Sequence, residues 1–441
     1  MEKGLNKKQF FIISLMLFSM FFGAGNFIFP PMVGKDAGTS YYLAIMFFCL
    51  TAVVLPVLGV AAVAKAGDLK SLASRADSWF AVIFVTAIYV SIGPLLAIPR
   101  AANMPFEISI MPFIDKDYHS LSLAVYGAIY FVLNWYVCIY PSKMVELLGK
   151  WLTPAMLILI VVFFVAGYIN LPGNFATPKG DYAIAPASKA FVEGYQTMDA
   201  LAALVFGIIV ATAMKDMGVK NEEYLSNATI KAGMVAGAIL MIIYIMLGFL
   251  GASAGGMNEF ANSQNGAAIL SELSNHLFGN SGRIILGLAF FLACFTTTTG
   301  LISSVSSYFE SICPKINYKI WVVIWCVVSF LVANLGLNQI LKFSVPVLIS
   351  LYPISIILII LSLINKMIDS NRLIYRVCVY VCALIGIINA LDITGINIPF
   401  ITDVVKQFPF YSSMLGWIVP TAICFIITYL FYLIFAKKDN Y

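Results

Sequence analysis

Long apolar runs separated by short polar segments dominate the chain. A helix needs about 20 mostly apolar residues to cross a hydrocarbon core roughly 30 Å thick. Measured against that length, the pattern predicts an all-α protein with about twelve membrane-spanning helices and no soluble domain, its longest non-apolar loops lying near 170–189 and 251–282. The predicted spans, numbered in order, are 10–33, 41–64, 79–99, 120–140, 151–169, 190–214, 227–250, 283–311, 318–335, 339–364, 374–391 and 411–435.

The composition of the 441 residues is that of a membrane protein. Only 11% of them are charged and 61% are hydrophobic, whereas roughly a quarter of the residues of a soluble domain are charged. A soluble enzyme is therefore excluded, and a net charge of +5 is too small for a nucleic-acid binder. Two histidines and eight cysteines without a C-x-x-C pair indicate no metal centre or disulfide framework. We expect the lipid bilayer as a partner, no obligate protein partner and no organic cofactor.

The distribution of basic residues predicts the orientation of the chain. Short cytoplasmic loops are enriched in Lys and Arg. If the N-terminus lies inside and twelve spans follow, 18 of the 26 basic residues fall in cytoplasmic loops. An odd number of spans would mix the basic-rich cytoplasmic loops with the basic-poor outer loops. We therefore expect an even number of spans, with both termini in the cytoplasm.

A glycine-rich polar segment interrupts span 1. Gly23 and Gly25 each cost a helix about 1 kcal/mol relative to alanine, and Asn26 follows them directly. The glycines could form the small-residue face through which membrane helices pack closely, but such a face does not need a buried amide. Irregular backbone inside a bilayer is tolerated only where it lies within protein or lines a cavity. The segment therefore predicts an unwound binding site.

Span 6 contains a second interruption near its start. Its residues combine a glycine, hydroxyl and amide groups and two carboxylates, and ionisable residues at membrane depth are expensive and usually functional. The alternative is that span 6 begins later and these residues lie among the lipid headgroups. The segment runs Glu193-Gly194-Tyr195-Gln196-Thr197-Met198-Asp199.

The two interruptions lie five spans apart, so the second unit enters the membrane in the opposite orientation. Corresponding interrupted helices in two inverted halves indicate the central binding site of a carrier. We therefore predict a single transmembrane domain over residues 1–441. It would consist of one repeat at 10–169 (helices 1–5), a second at 190–364 (helices 6–10) and two further helices at 374–435.

A run of hydroxyl side chains lies in span 8. In an isolated helix such hydroxyls bond to their own i−4 carbonyls, and at most two of four consecutive threonines face one site. Hard cations are bound by several oxygen atoms. Two of these hydroxyls, with carbonyls freed at the first interruption, would therefore suit Na⁺. The threonines are Thr296, Thr297, Thr298 and Thr299.

Three segments resemble the signatures of the bacterial branched-chain amino-acid:cation symporters, in the same order. They are Phe21–Pro31 (FFGAGNFIFPP), Gly93–Arg100 (GPLLAIPR) with Phe106 and Glu107 after it, and Gly194–Leu201 (GYQTMDAL) running on to Phe206 and Gly207.

The resemblance implies membership of the amino acid–polyamine–cation superfamily and a LeuT-type fold. That fold has five plus five inverted helices, with helices 1 and 6 discontinuous, to which two helices are added here. The implied activity is uptake of leucine, isoleucine and valine across the bacterial cell membrane by alternating access. The coupling cation would be Na⁺, or H⁺ as in some relatives.

The resemblance also implies a set of site residues. Backbone amides after the first break would bind the substrate carboxylate, and carbonyls at the second would suit its ammonium group. A zwitterion bridging two half-helices then needs no charged side chain. The implied substrate-binding residues are Gly23, Ala24, Gly25, Asn26, Tyr195, Gln196, Thr197 and Phe206. The implied Na⁺ ligands are Ser19, Phe22, Ala293, Thr296 and Thr297.

Three charged residues have alternative roles. Asp199 would either tie the unwound segment together or be protonated during transport. Arg100 and Glu107, at the outer end of span 3, would form a gate pair or be ordinary loop charges. Alternatives to Na⁺-coupled uptake are H⁺ coupling, export on the same fold, and an intramembrane enzyme, for which a paired catalytic motif is missing from the sequence.

Overall fold

The computed structural model of the protein describes residues 4–140, 150–171, 173–260, 263 and 266–436, and all regular structure in these ranges is helical. The α-helices are α1 (Lys7–Phe21), α2 (Ala24–Ala37), α3 (Tyr41–Cys49), α4 (Leu55–Ala66), α5 (Leu69–Ser74), α6 (Ser78–Val90), α7 (Ala97–Ser109), α8 (His119–Cys138), α9 (Thr153–Asn170), α10 (Asp181–Ile184), α11 (Pro186–Glu193), α12 (Asp199–Asp216), α13 (Glu222–Gly255), α14 (Gly266–Ile312), α15 (Tyr318–Ala333), α16 (Leu337–Leu363), α17 (Arg372–Ile393), α18 (Ile401–Val405) and α19 (Ile418–Ala436).

Within the described ranges, nine helical stretches are long and apolar enough to cross a membrane, and two apolar helices are shorter. The stretch Ala24–Ala66 has 43 residues and a length of about 65 Å, twice the thickness of the hydrocarbon core. It turns at Gly38–Ser40, where Gly38 has a φ of 49°. α2 therefore continues span 1 and α3 begins span 2, so that a helix coincides with each of the twelve predicted spans.

Apolar side chains cover the outside of the peripheral helices. A surface of this kind is stable only where it faces lipid tails, because a soluble protein rarely exposes large contiguous apolar patches. The chain is therefore a multi-pass membrane protein. Exposed apolar residues on α8, α9 and α19 include Leu121, Val125, Ile129, Ile158, Val161, Val165, Ile423, Ile427 and Leu430.

The interior is built around α1, α2 and α12, which pack against α4, α13 and α14. Glycines allow the backbones of α2 and α13 to touch. A Cβ atom at Gly34 would lie 1.9 Å from the carbonyl oxygen of Gly248, and one at Gly251 would lie 2.0 Å from that of Pro31. Close approach through small residues is typical of helix packing in membranes, and here it holds the half-helix after the first break in place.

Span 3 contains an interruption that the sequence analysis did not predict. A π-helical turn follows α6, and inside it Gly93 has a non-helical φ of −90° and ψ of −122°. Pro94 adds to the break because proline has no N–H to donate. A Cβ atom at Gly93 would lie 2.7 Å from Val305 of α14, so glycine also permits close packing there. The helix resumes as α7.

The predicted span 283–311 agrees with the second part of α14, but the loop predicted before it was wrong. The helix begins at Gly266 rather than near 283, and much of the predicted loop at 251–282 is helical. Gly279, with a φ of 62°, kinks the helix between the two parts. The polar residues of the first part concealed it, because only the second part has the composition of a spanning helix.

The last helices are attached to the rest of the protein by packing and by a charged cluster. α17 packs on α16, and α19 packs on α17. Asp77, before α6, accepts hydrogen bonds from Arg376 at 2.5 Å, from Tyr380 at 2.7 Å and from Arg372 at 3.0 Å. Those from Arg376 and then Tyr380 are the main reasons why the pKa of Asp77 is lowered from 3.8 to about 2.

We expect Asp77→Asn to lower the melting temperature of the purified protein at pH 7. A carboxyl whose pKa is depressed by folding stabilises the fold above its unfolded pKa, and this contribution is lost as the pH falls toward the folded value. The difference from wild type, measured by differential scanning fluorimetry, should therefore shrink below about pH 4. The exposed Asp216→Asn serves as the control, and a difference independent of pH would contradict the assignment.

Candidate functional site

The first interruption is closed by the side chain of Asn26. α1 ends at Phe21 and α2 begins at Ala24, as the glycines of the segment predicted. The N–H of Gly23 donates to Oδ1 of Asn26 at 2.9 Å, and the N–H of Asn26 donates to the carbonyl of Gly23 at 3.2 Å. In an uninterrupted helix the N–H of Gly23 would donate to the carbonyl of Ser19. Because it donates to Asn26 instead, the Ser19 carbonyl has no helical donor.

The second interruption lies between α11 and α12. A 3₁₀ turn covers Gly194–Thr197, and Met198 then adopts a left-handed conformation with a φ of 65°. That conformation costs a non-glycine residue roughly 1–2 kcal/mol. The hydroxyl of Thr197 donates to the carbonyl of Gly194 at 2.9 Å. α12 starts directly afterwards, so the segment that sequence predicted to break does so.

The two interruptions meet at Gly25. A Cβ atom on this residue would lie 2.8 Å from Nη2 of Arg100, 3.1 Å from the Cα of Thr197 and 3.2 Å from the carbonyl oxygen of Gln196. Any larger residue would require Arg100 or the backbone of span 6 to shift. The start of α2, the unwound part of span 6 and a side chain of α7 are thereby brought to one point.

A cluster of buried polar side chains joins three helices beside this point. Oδ2 of Asp199 accepts hydrogen bonds of 2.6 Å from Nδ2 of Asn26 and from the hydroxyl of Tyr244, which also contact each other. The cluster ties α2, α12 and α13 together. Sequence reasoning missed Tyr244, because it is a single tyrosine in the uniformly apolar run of span 7 and follows no recognisable motif.

The predicted cation ligands lie between α1 and α14. The hydroxyl of Thr296 donates to the carbonyl of Ser19 at 2.9 Å and to that of Ala293 at 2.8 Å, and the hydroxyl of Thr297 lies 3.3 Å from the same Ser19 carbonyl. The carbonyl left unpaired by the first break thus has these two hydroxyls as partners.

Phe22 and Gly23 complete the surroundings of the cation ligands. Phe22 directly follows α1 and stacks on Phe18. A Cβ atom at Gly23 would lie 2.9 Å from the hydroxyl of Thr297. Four oxygen atoms, two from carbonyls and two from hydroxyls, therefore converge next to the unwound segment, with Phe22 adjoining them.

The other two threonines of the run face away from α1. The hydroxyls of Thr298 and Thr299 donate to Oδ1 of Asn134 on α8 at 2.9 and 3.0 Å, and Tyr130 lies 2.9 Å from Thr298. The helical period thus divides the four threonines into two pairs. One pair lies at the predicted ion site and the other joins α14 to α8.

A small cavity lies at the meeting point of the two interruptions. Its volume is about 30 Å³, and a water molecule needs about 10–15 Å³, so it has room for one or two waters. This form of the protein is therefore closed around its centre, and a larger ligand requires the helices to move. The lining residues are Met20, Phe21, Gly23, Ala24, Gly25, Asn26, Ile92, Ala97, Arg100, Ala101, Thr197, Met198, Asp199, Ala202, Thr297 and Leu301.

Several predicted site residues lie outside the cavity lining. Tyr195 stacks on Tyr352 with ring centroids 4.4 Å apart, and Phe206 packs against Phe21, one of the lining residues, at 5.6 Å. The backbone carbonyl of Gln196 faces Gly25. Tyr195, Gln196 and Phe206 therefore adjoin residues of the site without lining the cavity.

Arg100 and Glu107 are separated along α7. Arg100 is 3% exposed and lines the cavity, whereas Glu107 lies beside the backbone of Leu337. Seven residues of helix place them about 10 Å apart along the axis, and the described ion pairs do not join them. Arg100 and Asp199 both line the cavity, so charged side chains lie at the centre, although a zwitterion bridging two half-helices would not need them.

These features define a class of protein: a membrane carrier whose two discontinuous helices meet at a closed central site. The structure resembles that of MhsT in complex with L-phenylalanine, with a TM-score of 0.55 and 14% sequence identity, over 98% of this chain and 99% of that one. The likeness confirms the predicted LeuT-type fold.

Comparison with known sequences identifies the family. Residues 6–435 match the family described as "Branched-chain amino acid transport protein". The chain is 40% identical to the branched-chain amino acid permease BraB of Bacillus subtilis (strain 168), covering 97% of this chain and 96% of that protein. It is 38% identical to the permease BrnQ of the same organism, covering 95% and 96%. The chain belongs to this family of transport proteins and is not an enzyme.

We expect Asp199→Ala to lower the melting temperature of the purified protein substantially. The change leaves the amide of Asn26 and the hydroxyl of Tyr244 buried without their acceptor, at a cost of roughly 1–3 kcal/mol for each group. Asp199→Asn retains an acceptor oxygen and should cost less. Asp216→Ala, at the exposed end of α12, is the control. If the Asn and Ala variants were equally destabilised, the cluster would not depend on an acceptor at this position.

Proposed function

We propose that the protein takes up leucine, isoleucine and valine together with Na⁺ by alternating access, with both termini in the cytoplasm of a bacterial cell. The observation that carries the choice of Na⁺ is the convergence of Thr296 and Thr297 on the carbonyl of Ser19, which the first break leaves without a helical partner. The family and the names of the related permeases support branched-chain amino acids as the substrates.

The substrate would lie between the two half-helices. The N-terminal end of α2, with no acidic residue in its first turn, favours a carboxylate because the helix dipole and free N–H groups are positive there. Carbonyls of the turn Gly194–Thr197 suit the ammonium group. The apolar part of the cavity, which includes Met20, Phe21 and Ile92, would receive the branched side chain once the site opens.

Discrimination among the three substrates should be weak. They differ by the presence or position of one methyl or methylene group, and such a difference in an apolar pocket is worth only about 1–3 kcal/mol. The lining supports this expectation, because the residues near the apolar end offer no side-chain donor or acceptor that one of the three could use and another could not.

Sodium would bind where α1 meets α14. The hydroxyls of Thr296 and Thr297 can rotate their protons outward and turn lone pairs to the ion, beside the carbonyls of Ser19 and Ala293. An oxygen-only ligand set suits a hard cation. Because Ser19 lies in the last turn of α1, the ion would fix the end of that helix and thereby the amides that receive the substrate. By linkage, the substrate would strengthen ion binding by the same factor.

A second candidate is coupling to H⁺ through Asp199. The observation in its favour is that the carboxylate of Asp199 lines the cavity and is 1% exposed, so that a proton gained there would alter the contacts between α2 and α12. Its hydrogen bonds from Asn26 and Tyr244 favour the first of the two roles predicted for it, a tie between the unwound segment and its neighbours.

The experiment that decides between the cations is uptake of labelled leucine into proteoliposomes under an inward Na⁺ gradient, and then in choline under an inward H⁺ gradient. We expect Na⁺ to drive uptake. Thr297→Val, which removes a hydroxyl and little volume, should raise the Na⁺ concentration for half-maximal uptake about 10-fold or more.

Thr298→Val is the matched control, because its hydroxyl faces α8 and should not affect the Na⁺ dependence. Uptake driven by H⁺, indifferent to Na⁺ and lost in Asp199→Asn, would replace the sodium proposal by the second candidate. No leucine uptake under either gradient would refute the proposed substrate.

We expect Gly25→Ala to abolish leucine uptake while the protein still assembles in the membrane. The added methyl group would displace the guanidinium of Arg100 and press on the backbone of Gln196 and Thr197, which would have to yield where the two unwound segments meet. Gly207→Ala is the control, because its methyl group would meet only a side-chain methyl of Val63 at 3.3 Å. Uptake by the Gly25 variant near the wild-type rate would show that the close contact is unnecessary.

A further inference from the structure

An arginine lies at the centre of the protein with much of its hydrogen-bonding capacity unused. Arg100 is 3% exposed, and its Nε and Nη1 atoms have no acceptor among the described residues. No ion pair found within the described ranges includes it. A charged residue at membrane depth is expensive and usually functional. The unused donors therefore point to an anionic ligand.

The break in span 3 directs this side chain to the centre. α7 begins at Ala97, directly after the interruption at Gly93 and Pro94, and Arg100 lies in its first turn. Its Nη2 atom lies 2.8 Å from the position that a Cβ atom of Gly25 would occupy. The missing side chain at Gly25 thus lets the guanidinium reach the start of α2.

The start of α2 is itself electropositive. The first N–H groups of a helix have no intrahelical acceptor and carry the positive end of the helix dipole. The first turn of α2 contains no acidic residue, and Ala24 and Gly25 line the same cavity as Arg100. Two positively charged features of independent origin therefore converge on one space.

Neighbouring side chains do not use the donors of Arg100. Asp199 is occupied by Asn26 and Tyr244, and no nitrogen of Arg100 lies within 4.0 Å of its carboxylate. The ring of Phe29 lies 5.8 Å from the Cζ of Arg100 and contacts it as a cation–π partner. That contact leaves the N–H groups free for a ligand.

The rest of the cavity indicates the kind of anion. Most of its other side chains are apolar, among them Met20, Ile92 and Leu301, which suits a carboxylate with an apolar tail. We propose that Arg100, together with the amides at the start of α2, binds the α-carboxylate of the transported amino acid. The inference rests on the proposed function, since it takes a branched-chain amino acid as the substrate.

The consequence is a selectivity for ligands with a free carboxylate. Hydrogen bonds between a guanidinium and a carboxylate are short, charge-assisted and commonly bidentate. Leucine should therefore bind far better than 3-methylbutylamine, which is leucine without its carboxylate, or leucinamide, in which the carboxylate is neutralised. The natural competitors excluded in this way are the amines formed by decarboxylation of the same amino acids.

The test is competition by each of these three compounds against labelled leucine, using the purified full-length protein. Wild type should prefer leucine over 3-methylbutylamine by about 100-fold. In Arg100→Gln, leucine should bind about 10- to 100-fold more weakly, whereas the affinity for 3-methylbutylamine should change by less than about 3-fold. Because labelled leucine binds this variant weakly, its affinity for the amine is read from the ligand-induced shift in melting temperature.

Two further variants separate binding from a structural role. Arg100→Lys retains the charge but not the bidentate geometry, so its preference for leucine should lie between those of wild type and Arg100→Gln. Arg283→Gln, an arginine outside the cavity, should bind like wild type. A purely structural role of Arg100 would lower the affinity for all three compounds alike and leave their ratios unchanged.

Each result bears on a different claim. Equal affinity of wild type for leucine and 3-methylbutylamine would overturn the role of Arg100 without the need for any variant, and so would an unchanged preference in Arg100→Gln. If wild type bound leucine no better than unrelated amino acids, the proposed function itself would fail, whatever the behaviour of Arg100.

Discussion

The structure depends on one constraint: every backbone N–H and C=O inside a bilayer needs a hydrogen-bond partner. An uninterrupted helix meets this need by itself. The interrupted helices of spans 1 and 6 do not, and polar side chains supply the missing hydrogen-bond partners. The side chain of Asn26 accepts a hydrogen bond from the N–H of Gly23. Hydroxyls of Thr296 and Thr297 donate to the carbonyl of Ser19. The hydroxyl of Thr197 donates to the carbonyl of Gly194. The groups that make the breaks tolerable are therefore the same groups that surround the centre. The same hydrogen bonds therefore stabilise the fold and shape the site.

The centre combines opposite charges that do not touch. Arg100 comes from α7 and Asp199 from α12, and both line the cavity. Asp199 is held by Asn26 and Tyr244 rather than by the arginine. The break in span 3 is what brings Arg100 inward, because α7 resumes directly after it with Arg100 in its first turn.

Much of the fold could be predicted from sequence because apolar runs have a length set by the bilayer. The breaks in spans 1 and 6 were also predictable, since Gly23, Gly25 and the polar run ending at Asp199 are costly in an ordinary spanning helix. Tyr244 and the burial of Arg100 could not be found in this way. Their positions depend on how α13 and α7 pack, and local sequence does not encode that packing. The first part of α14, before the kink at Gly279, was missed because its polar residues resemble those of a loop.

The small size of the central cavity limits the leakage of ions through the protein. An ion gradient stores energy only while the bilayer resists leakage, and a protein that held a continuous column of water would discharge it. A cavity of about 30 Å³ has room for one or two water molecules, which is too few to form such a column. Tight packing by Met20, Phe21 and Leu301 thus lets a protein with an unwound, polar centre remain in an energised membrane.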